Sequence, residues 1–113
     1  MVVSLWISVP GAAESRWEVT RLPSGFRMEE HDQHPMPHAP RPVDHLVFSD
    51  GLAMVSVFIE KLDGKEAHGA WSGASRMGAV NAFGRHYEGY EVTVVGEVPA
   101  ATVRQIGESL RRR

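Results

Sequence analysis

The chain has 113 residues, no cysteine and a formal net charge of −2. This length suits one domain with one modest hydrophobic core. The absence of cysteine excludes a disulfide scaffold, a thiolate zinc site and a thiol nucleophile. The slight negative charge gives no general attraction to nucleic acid or anionic lipid. No apolar run reaches the ~18 residues that span a bilayer, so direct membrane insertion is not expected.

The first apolar stretch covers residues 2–9 (VVSLWISV) and is followed by Pro10-Gly11. Two interpretations stay open for it. One is a buried or edge strand ended by Pro-Gly, and the other is a shortened signal sequence without a positively charged start. We therefore treat residues 1–16 as an N-terminal strand or remnant segment, and residues 17–113 as the domain proper.

Two alternating segments predict a first hairpin. Trp17–Leu22 (WEVTRL) alternates apolar and polar side chains, residues 23–25 (PSG) have the composition of a turn, and Phe26–His31 resumes the alternation. The stretch from His31 to Pro42 holds four of the chain's seven prolines. Since proline cannot donate to a β-ladder, we expect a loop there.

Residues His45–Leu62 (HLVFSDGLAMVSVFIEKL) predict the central hairpin. Asp50-Gly51 lies between two apolar runs and favours a two-residue type I′ turn, in which both central residues have φ > 0. Folding there places Phe48 opposite Ala53 and Leu46 opposite Val55. One side of the hairpin is then a core face formed by Leu46, Phe48, Ala53, Val55, Val57 and Ile59.

The other face of this hairpin is too apolar for water alone. It reads Val43, His45, Val47, Met54, Ser56, Phe58 and Glu60. One helix that covers the core face cannot also cover this one, so either another segment of the chain or a partner must do so. We therefore name four candidate partner-binding residues: Val43, Val47, Met54 and Phe58.

The C-terminal half predicts a third hairpin after a loop. Asp63–Ser75 is rich in Gly, Ala and Ser, and we expect a loop with one irregular edge strand. Ala79–Val98 then folds back through a turn at Glu88-Gly89. This hairpin pairs Tyr87 with Tyr90, Arg85 with Val92, Phe83 with Val94 and Asn81 with Gly96.

A single helix is predicted to follow Pro99, which suits a first helical turn. An apolar stripe recurs at Val103, Ile106 and Leu110. Gly107 lowers helix stability by about 1 kcal/mol, so docking on the sheet must hold the helix. We expect Arg111–Arg113 to close it with positive charge. The predicted fold is α+β: an antiparallel β-sheet of consecutive hairpins with a C-terminal α-helix packed on one face.

Histidines near the proline-rich stretch raise the question of a metal site. His31, His34, His38 and His45 are accompanied by Glu29, Glu30, Asp32 and Asp44. Their spacings match neither an HExxH motif nor a zinc finger, and three of the histidines lie in the predicted loop, where rigid ligand geometry is not provided. A polar surface loop is therefore favoured, and no cofactor is expected.

The sequence also contains residue types that are used in hydrolytic catalysis. Ser49, Asp50, His45 and His86 are residue types of a catalytic triad, but no GxSxG motif is present. A serine beside a turn is explained by turn chemistry. The sequence thus predicts a protein that is not an enzyme.

Three stretches carry a family resemblance: WEVTRLPSGF, HLVFSDGLAMVSVFIE and GAVNAFGRHYEGYEVTVVGEVPAATVRQIGESL. In this order, over residues 17–110, they resemble the C-terminal domain of the RseB/MucB family, which would make residues 17–113 such a domain. The resemblance implies a non-enzymatic, periplasmic negative regulator of the envelope-stress sigma factor (sigma-E or AlgU). It would bind the periplasmic part of an RseA/MucA-like anti-sigma factor and protect that protein from the site-1 protease.

Members of that family also have a larger N-terminal domain that senses mislocalised lipoprotein or lipopolysaccharide. That domain is not part of this sequence, so the resemblance does not imply lipid sensing for this chain. Two alternatives stay open: a structural domain of the same regulator with the partner site elsewhere, and a metal-binding protein that uses the His31–His45 loop. The sequence leaves self-association into a homo-oligomer open.

Overall fold

This computed structural model describes residues 16–34, 42–62 and 72–113. The described residues form eight strands and one helix, which in chain order are β1 (Trp17–Val19), β2 (Arg27–His34), β3 (Val43–Ser49), β4 (Met54–Lys61), β5 (Gly73–Met77), β6 (Val80–Tyr87), β7 (Tyr90–Gly96), α1 (Ala100–Ser109) and β8 (Leu110–Arg112). The predictions for residues 2–9, for His38 and for the first part of the loop expected over Asp63–Ser75 lie outside these ranges.

Six strands form one antiparallel sheet in the order β2-β3-β4-β7-β6-β5. The helix packs against β6 and β7 on one face of this sheet. The predicted α+β class, an antiparallel sheet with a C-terminal helix, is confirmed. The main hydrophobic core includes Leu46, Phe48, Val55, Val57, Ile59, Phe83, Val92, Val94, Val103, Ile106 and Leu110.

The central hairpin has a longer loop than predicted. β3 and β4 pair Phe48 with Val55 and Leu46 with Val57, so the loop is residues 50–53 and not Asp50-Gly51 alone. The backbone N–H groups of Leu52 and Ala53 both donate to the Asp50 carboxylate at 2.9 Å. This side-chain-stabilised turn uses two more residues than a type I′ turn. The observed pairing of β3 with β4 is shifted by two residues from the predicted one. Because side chains alternate between faces with a period of two, each strand residue still lies on its predicted face.

The third hairpin is confirmed in its turn and its register. Glu88 has φ +49° and Gly89 has φ +85°, as a two-residue type I′ turn requires. The strands pair Tyr87 with Tyr90, Arg85 with Val92, Phe83 with Val94 and Asn81 with Gly96.

The predicted first hairpin is wrong, because β1 does not pair with β2. β1 pairs antiparallel with β8, placing Trp17 opposite Arg112 and Val19 opposite Leu110, while β2 pairs with β3. The turn itself is present, since the Phe26 N–H donates to the Pro23 carbonyl at 3.1 Å. A turn signal is local, and it does not fix strand pairing when a distant strand buries the same apolar side chains.

Three further boundaries differ from the sequence-based expectations. His31 to His34 belong to β2 and not to a loop. The edge strand expected in the Gly/Ala/Ser-rich region is the regular β5. The arginines after the helix do not close it, because the chain turns extended at Leu110 and continues into β8. Pairing with β1 draws this segment away from a helical conformation.

The described residues contain no helix that is long and apolar enough to cross a membrane.

Candidate functional site

The candidate site lies on the outer face, which we define as the face of the six-stranded sheet opposite α1. Directly paired residues share a face, so Val47 with Ser56, His45 with Phe58 and Ser49 with Met54 all lie there. The structure thus places the hairpin residues of the candidate site on one surface, as the alternation predicted.

The four candidate residues differ in accessibility. Val43 and Val47 are only 3% and 5% exposed, although they face away from α1. Met54 is 62% exposed, and Phe58 is half-buried. Only Met54 and Phe58 therefore present apolar surface in this conformation, and partner binding by the four residues stays a prediction.

Phe58 is held in a fixed orientation by His45. The two rings stack with centroids 4.5 Å apart and planes 3° from parallel. The register also places Phe58 opposite Thr93 of β7. Because the ring is supported on one side, its exposed surface is preorganised, and less side-chain entropy is lost when a partner covers it.

Exposed apolar side chains also lie at one end of the sheet, Met77 and Val80 on its strands and Leu52 in the loop between β3 and β4. Leu52 is 97% exposed and Met77 is 82% exposed, and Val80 is exposed as well. β4 and β6 both begin at this end of the antiparallel sheet, and β5 ends there. Met77 lies directly opposite Val80. Sequence reasoning missed these three residues, and the available signal was a large apolar side chain directly beside a glycine turn.

Asp44 of β3, which the sequence suggested as a metal ligand, instead contacts side chains from two other strands, β1 and β2. Its Oδ2 accepts from the Trp17 Nε1–H at 3.2 Å, and its Oδ1 accepts from the Gln33 Nε2–H at 2.9 Å. The buried His31 lies nearby, with Nε2 at 3.4 Å from Oδ1. The carboxylate thereby ties β1 to β2 and β3. Among the described residues, no group of three or more His, Cys, Asp or Glu could hold a metal ion.

The residue types of a triad are not brought together. Ser49 Oγ accepts from the Gly51 N–H at 3.0 Å, and His45 stacks on Phe58. His86 lies on β6, which β7 separates from the central hairpin. The backbone N–H groups of Ala53 and Leu52 hold the pKa of Asp50 below its ordinary value. Ser49 and Asp50 therefore shape the loop.

Comparisons with known proteins agree with this fold. The model of the MucB/RseB C-terminal domain matches residues 11–111. The sigma factor AlgU regulatory protein MucB of Pseudomonas aeruginosa is 38% identical over 101 residues, covering 84% of this chain and 30% of that protein. The sigma-E factor regulatory protein RseB of Escherichia coli K12 is 26% identical over 108 residues, covering 93% and 33%.

Solved structures give the same result. The crystal structure of MucB in complex with MucA(peri) matches with a TM-score of 0.70 and 36% identity, over 88% of this chain and 38% of that chain. The complex of Pseudomonas aeruginosa MucA/MucB matches with a TM-score of 0.69 and 36% identity, over 87% and 35%. The chain spans about a third of the length of the curated relatives it matches.

The fold and these relatives define the chain as a sheet-and-helix domain of the kind found in sigma-factor regulatory proteins. It belongs to the MucB/RseB C-terminal domain family.

Proposed function

We propose that this domain binds the periplasmic part of a MucA/RseA-like anti-sigma factor. By doing so it protects that protein from proteolysis, as the non-enzymatic binding module of a periplasmic negative regulator. The observation that carries the proposal is the similarity to MucB in structures of its complex with MucA.

The accessible part of the outer face supports a protein partner. Met54 is mostly exposed and Phe58 is half-buried. Covering apolar side chains contributes about 25 cal/mol for each Å² removed from water. An aromatic ring that is already oriented by His45 is the kind of residue that dominates the energy of a protein interface.

A second candidate has its own support. The chain spans about a third of the length of its curated relatives, and two of the four candidate residues are buried. In this alternative the domain is structural, and the partner site lies in the remainder of a longer regulator.

Calorimetric titration distinguishes the two candidates. The periplasmic region of the cognate anti-sigma factor is titrated into the 113-residue chain, and we expect a dissociation constant on the order of 10 μM or lower. We expect Phe58→Asp to weaken binding by about tenfold or more, because a charge then replaces a buried contact. Met54→Asp, at a more exposed position, keeps the result interpretable if Phe58→Asp loses its fold.

The matched control is Ala101→Asp, which adds the same charge on the exposed surface of α1. An equal loss in all three variants would indicate a general charge effect. Binding by a longer regulator but not by this chain would favour the structural alternative.

A further inference from the structure

β5 (Gly73–Met77) is an edge strand of the six-stranded sheet, and within the described ranges no strand pairs with its outer side. Ala74 and the three residues after it are exposed, on both faces of the sheet. The helix packs on β6 and β7, so it leaves β5 uncovered. An exposed edge strand presents unpaired backbone groups that can accept another chain.

The turn after β5 determines which of these groups face outward. Gly78 has φ +61°, and Met77 pairs with Val80 across the two-residue turn. The two residues that flank such a turn form a hydrogen-bonded pair. From this pair onward, hydrogen-bonded and non-hydrogen-bonded pairs alternate along β5 and β6. Ser75 therefore directs its backbone N–H and C=O groups toward β6. Ala74 and Arg76 direct theirs toward the open side.

The opposite edge of the sheet is protected in a way that β5 is not. The pairing of β2 shifts register between Met28 and Glu30, as in a bulge. That strand also carries four charged side chains, at Arg27, Glu29, Glu30 and Asp32. Bulges and charges of this kind prevent edge-to-edge association. β5 pairs without irregularity and has one charged residue, Arg76.

The side chains around this edge indicate what it accepts. On the outer face, Met77 and Val80 form an exposed apolar pair. On the other face, Arg76 Nε donates to the Gly78 carbonyl at 2.9 Å, and within the described residues this guanidinium has no carboxylate partner. The surface therefore suits an extended polypeptide with an apolar side chain beside Met77 and an acidic one beside Arg76.

We propose that an extended segment of the anti-sigma factor's periplasmic region adds to β5 as a seventh strand. The inference rests on the proposed function and gives that partner a binding mode. Alternating outward N–H and C=O groups are complementary to an extended backbone, which argues for a polypeptide. The exposed outer face then continues from Met54, past Val80 and Met77, to the new strand.

Amide hydrogen exchange measured by NMR tests this mode directly. In the free chain the outward amides of Ala74 and Arg76 should exchange fast. Saturation with the periplasmic region of the cognate anti-sigma factor should slow both by at least about tenfold. The Ser75 amide, already bonded to β6, is the internal control and should change little.

A pair of variants separates the backbone contribution from the charge. Arg76→Ala removes the guanidinium and should weaken binding about two- to fivefold, the size of an exposed ion pair. Arg76→Pro also removes the outward N–H and should weaken binding by about a further three- to tenfold. Since proline is tolerated at the open side of an edge strand, circular dichroism should show both variants folded.

The outcomes are distinguishable. Wild-type binding with unprotected Ala74 and Arg76 amides, and equal affinity of the two variants, would overturn strand addition but leave the proposed function standing. No binding by the wild-type chain would overturn both. Protection that rises with the concentration of this chain alone would overturn the proposal in favour of edge pairing between two copies.

Discussion

Gly107 sets how closely α1 approaches the sheet. A Cβ at this position would overlap the Phe83 ring, and it would lie 3.3 Å from Val94 Cγ2. The residue that lowers helix propensity is therefore the one that permits close packing of helix and sheet. Docking compensates for the weak helix, as the sequence suggested.

We expect Gly107→Ala to destabilise the domain. In an isolated helix the alanine would gain about 1 kcal/mol, but overpacking against Phe83 costs about 1–3 kcal/mol. Urea unfolding should show a lower midpoint. Ala101→Gly, at an exposed helix position, is the control and should lose no more than about 1 kcal/mol. A more stable Gly107→Ala variant would show that the ring moves aside.

Asp50 gives the central loop a dependence on pH. The N–H groups of Ala53 and Leu52 favour the ionised carboxylate and hold its pKa below the ordinary value. Its contribution to stability is therefore fully present above the unfolded-state pKa of about 3.9 and is lost as the pH falls through the lower folded-state pKa.

The test compares the wild type with Asp50→Asn, which keeps an acceptor oxygen but does not titrate. The difference in unfolding free energy between the two proteins should shrink as the pH falls from about 5 to about 2. Urea unfolding across that range measures it. A difference that does not change with pH would mean that the carboxylate's charge contributes nothing.

Among the elements, the two hairpins show how far a sequence specifies a register. The β6–β7 register could be predicted because Glu88 and Gly89 both adopt positive φ. The β3–β4 register could not, because the Asp50 side chain binds the loop amides and lengthens the turn. An Asp-Gly dipeptide is compatible with a two-residue type I′ turn and also with the longer loop that residues 50–53 form.

Local sequence patterns could not predict the pairing of β1 with β8. Trp17 and Arg112 are partners from opposite parts of the chain, and no turn signal reports such a contact.

The accessibility of the candidate-site residues could not be predicted from the sequence either. Alternation placed Val47 and Met54 on the outer face, but it could not reveal that Val47 is buried while Met54 is exposed. Burial on a second face depends on tertiary covering and not on the strand's own period.

Asp44 provides a polar connection from β1 to the large sheet, beside the packing of Trp17 on Tyr87 and Tyr90. It accepts hydrogen bonds from Trp17 and Gln33. We expect Asp44→Ala to cost about 1–3 kcal/mol, because polar groups lose their shared acceptor, and to speed hydrogen exchange in β1. Glu29→Ala is the control, since the exposed Arg27–Glu29 pair contributes about 1 kcal/mol at most. Equal effects of the two substitutions would contradict this role.

In the whole molecule, β1 and β8 close the domain. Leu110 is almost fully buried, and Glu18 forms an ion pair with Arg111 at 3.0 Å. The Arg113 N–H donates to the Arg16 carbonyl at 2.7 Å. Two short strands thus fasten the residues that precede the sheet to the segment that follows the helix.

Deleting residues 110–113 should therefore destabilise the domain by at least about 2–5 kcal/mol, the usual cost of removing one buried leucine side chain. Deleting Arg113 alone removes one backbone hydrogen bond and should cost about 1 kcal/mol. Thermal unfolding compares the two truncations. A similar melting temperature for both would show that β8 contributes little to closure.

The antiparallel pairing of β1 and β8 also has a mechanical consequence. Residues 16 and 113 leave this ribbon side by side, so tension applied between them loads its hydrogen bonds one after another and not together. Such a ribbon peels open at low force. Under tension the pairing of β1 with β8 would therefore break early, and the indole of Trp17 would become exposed to water.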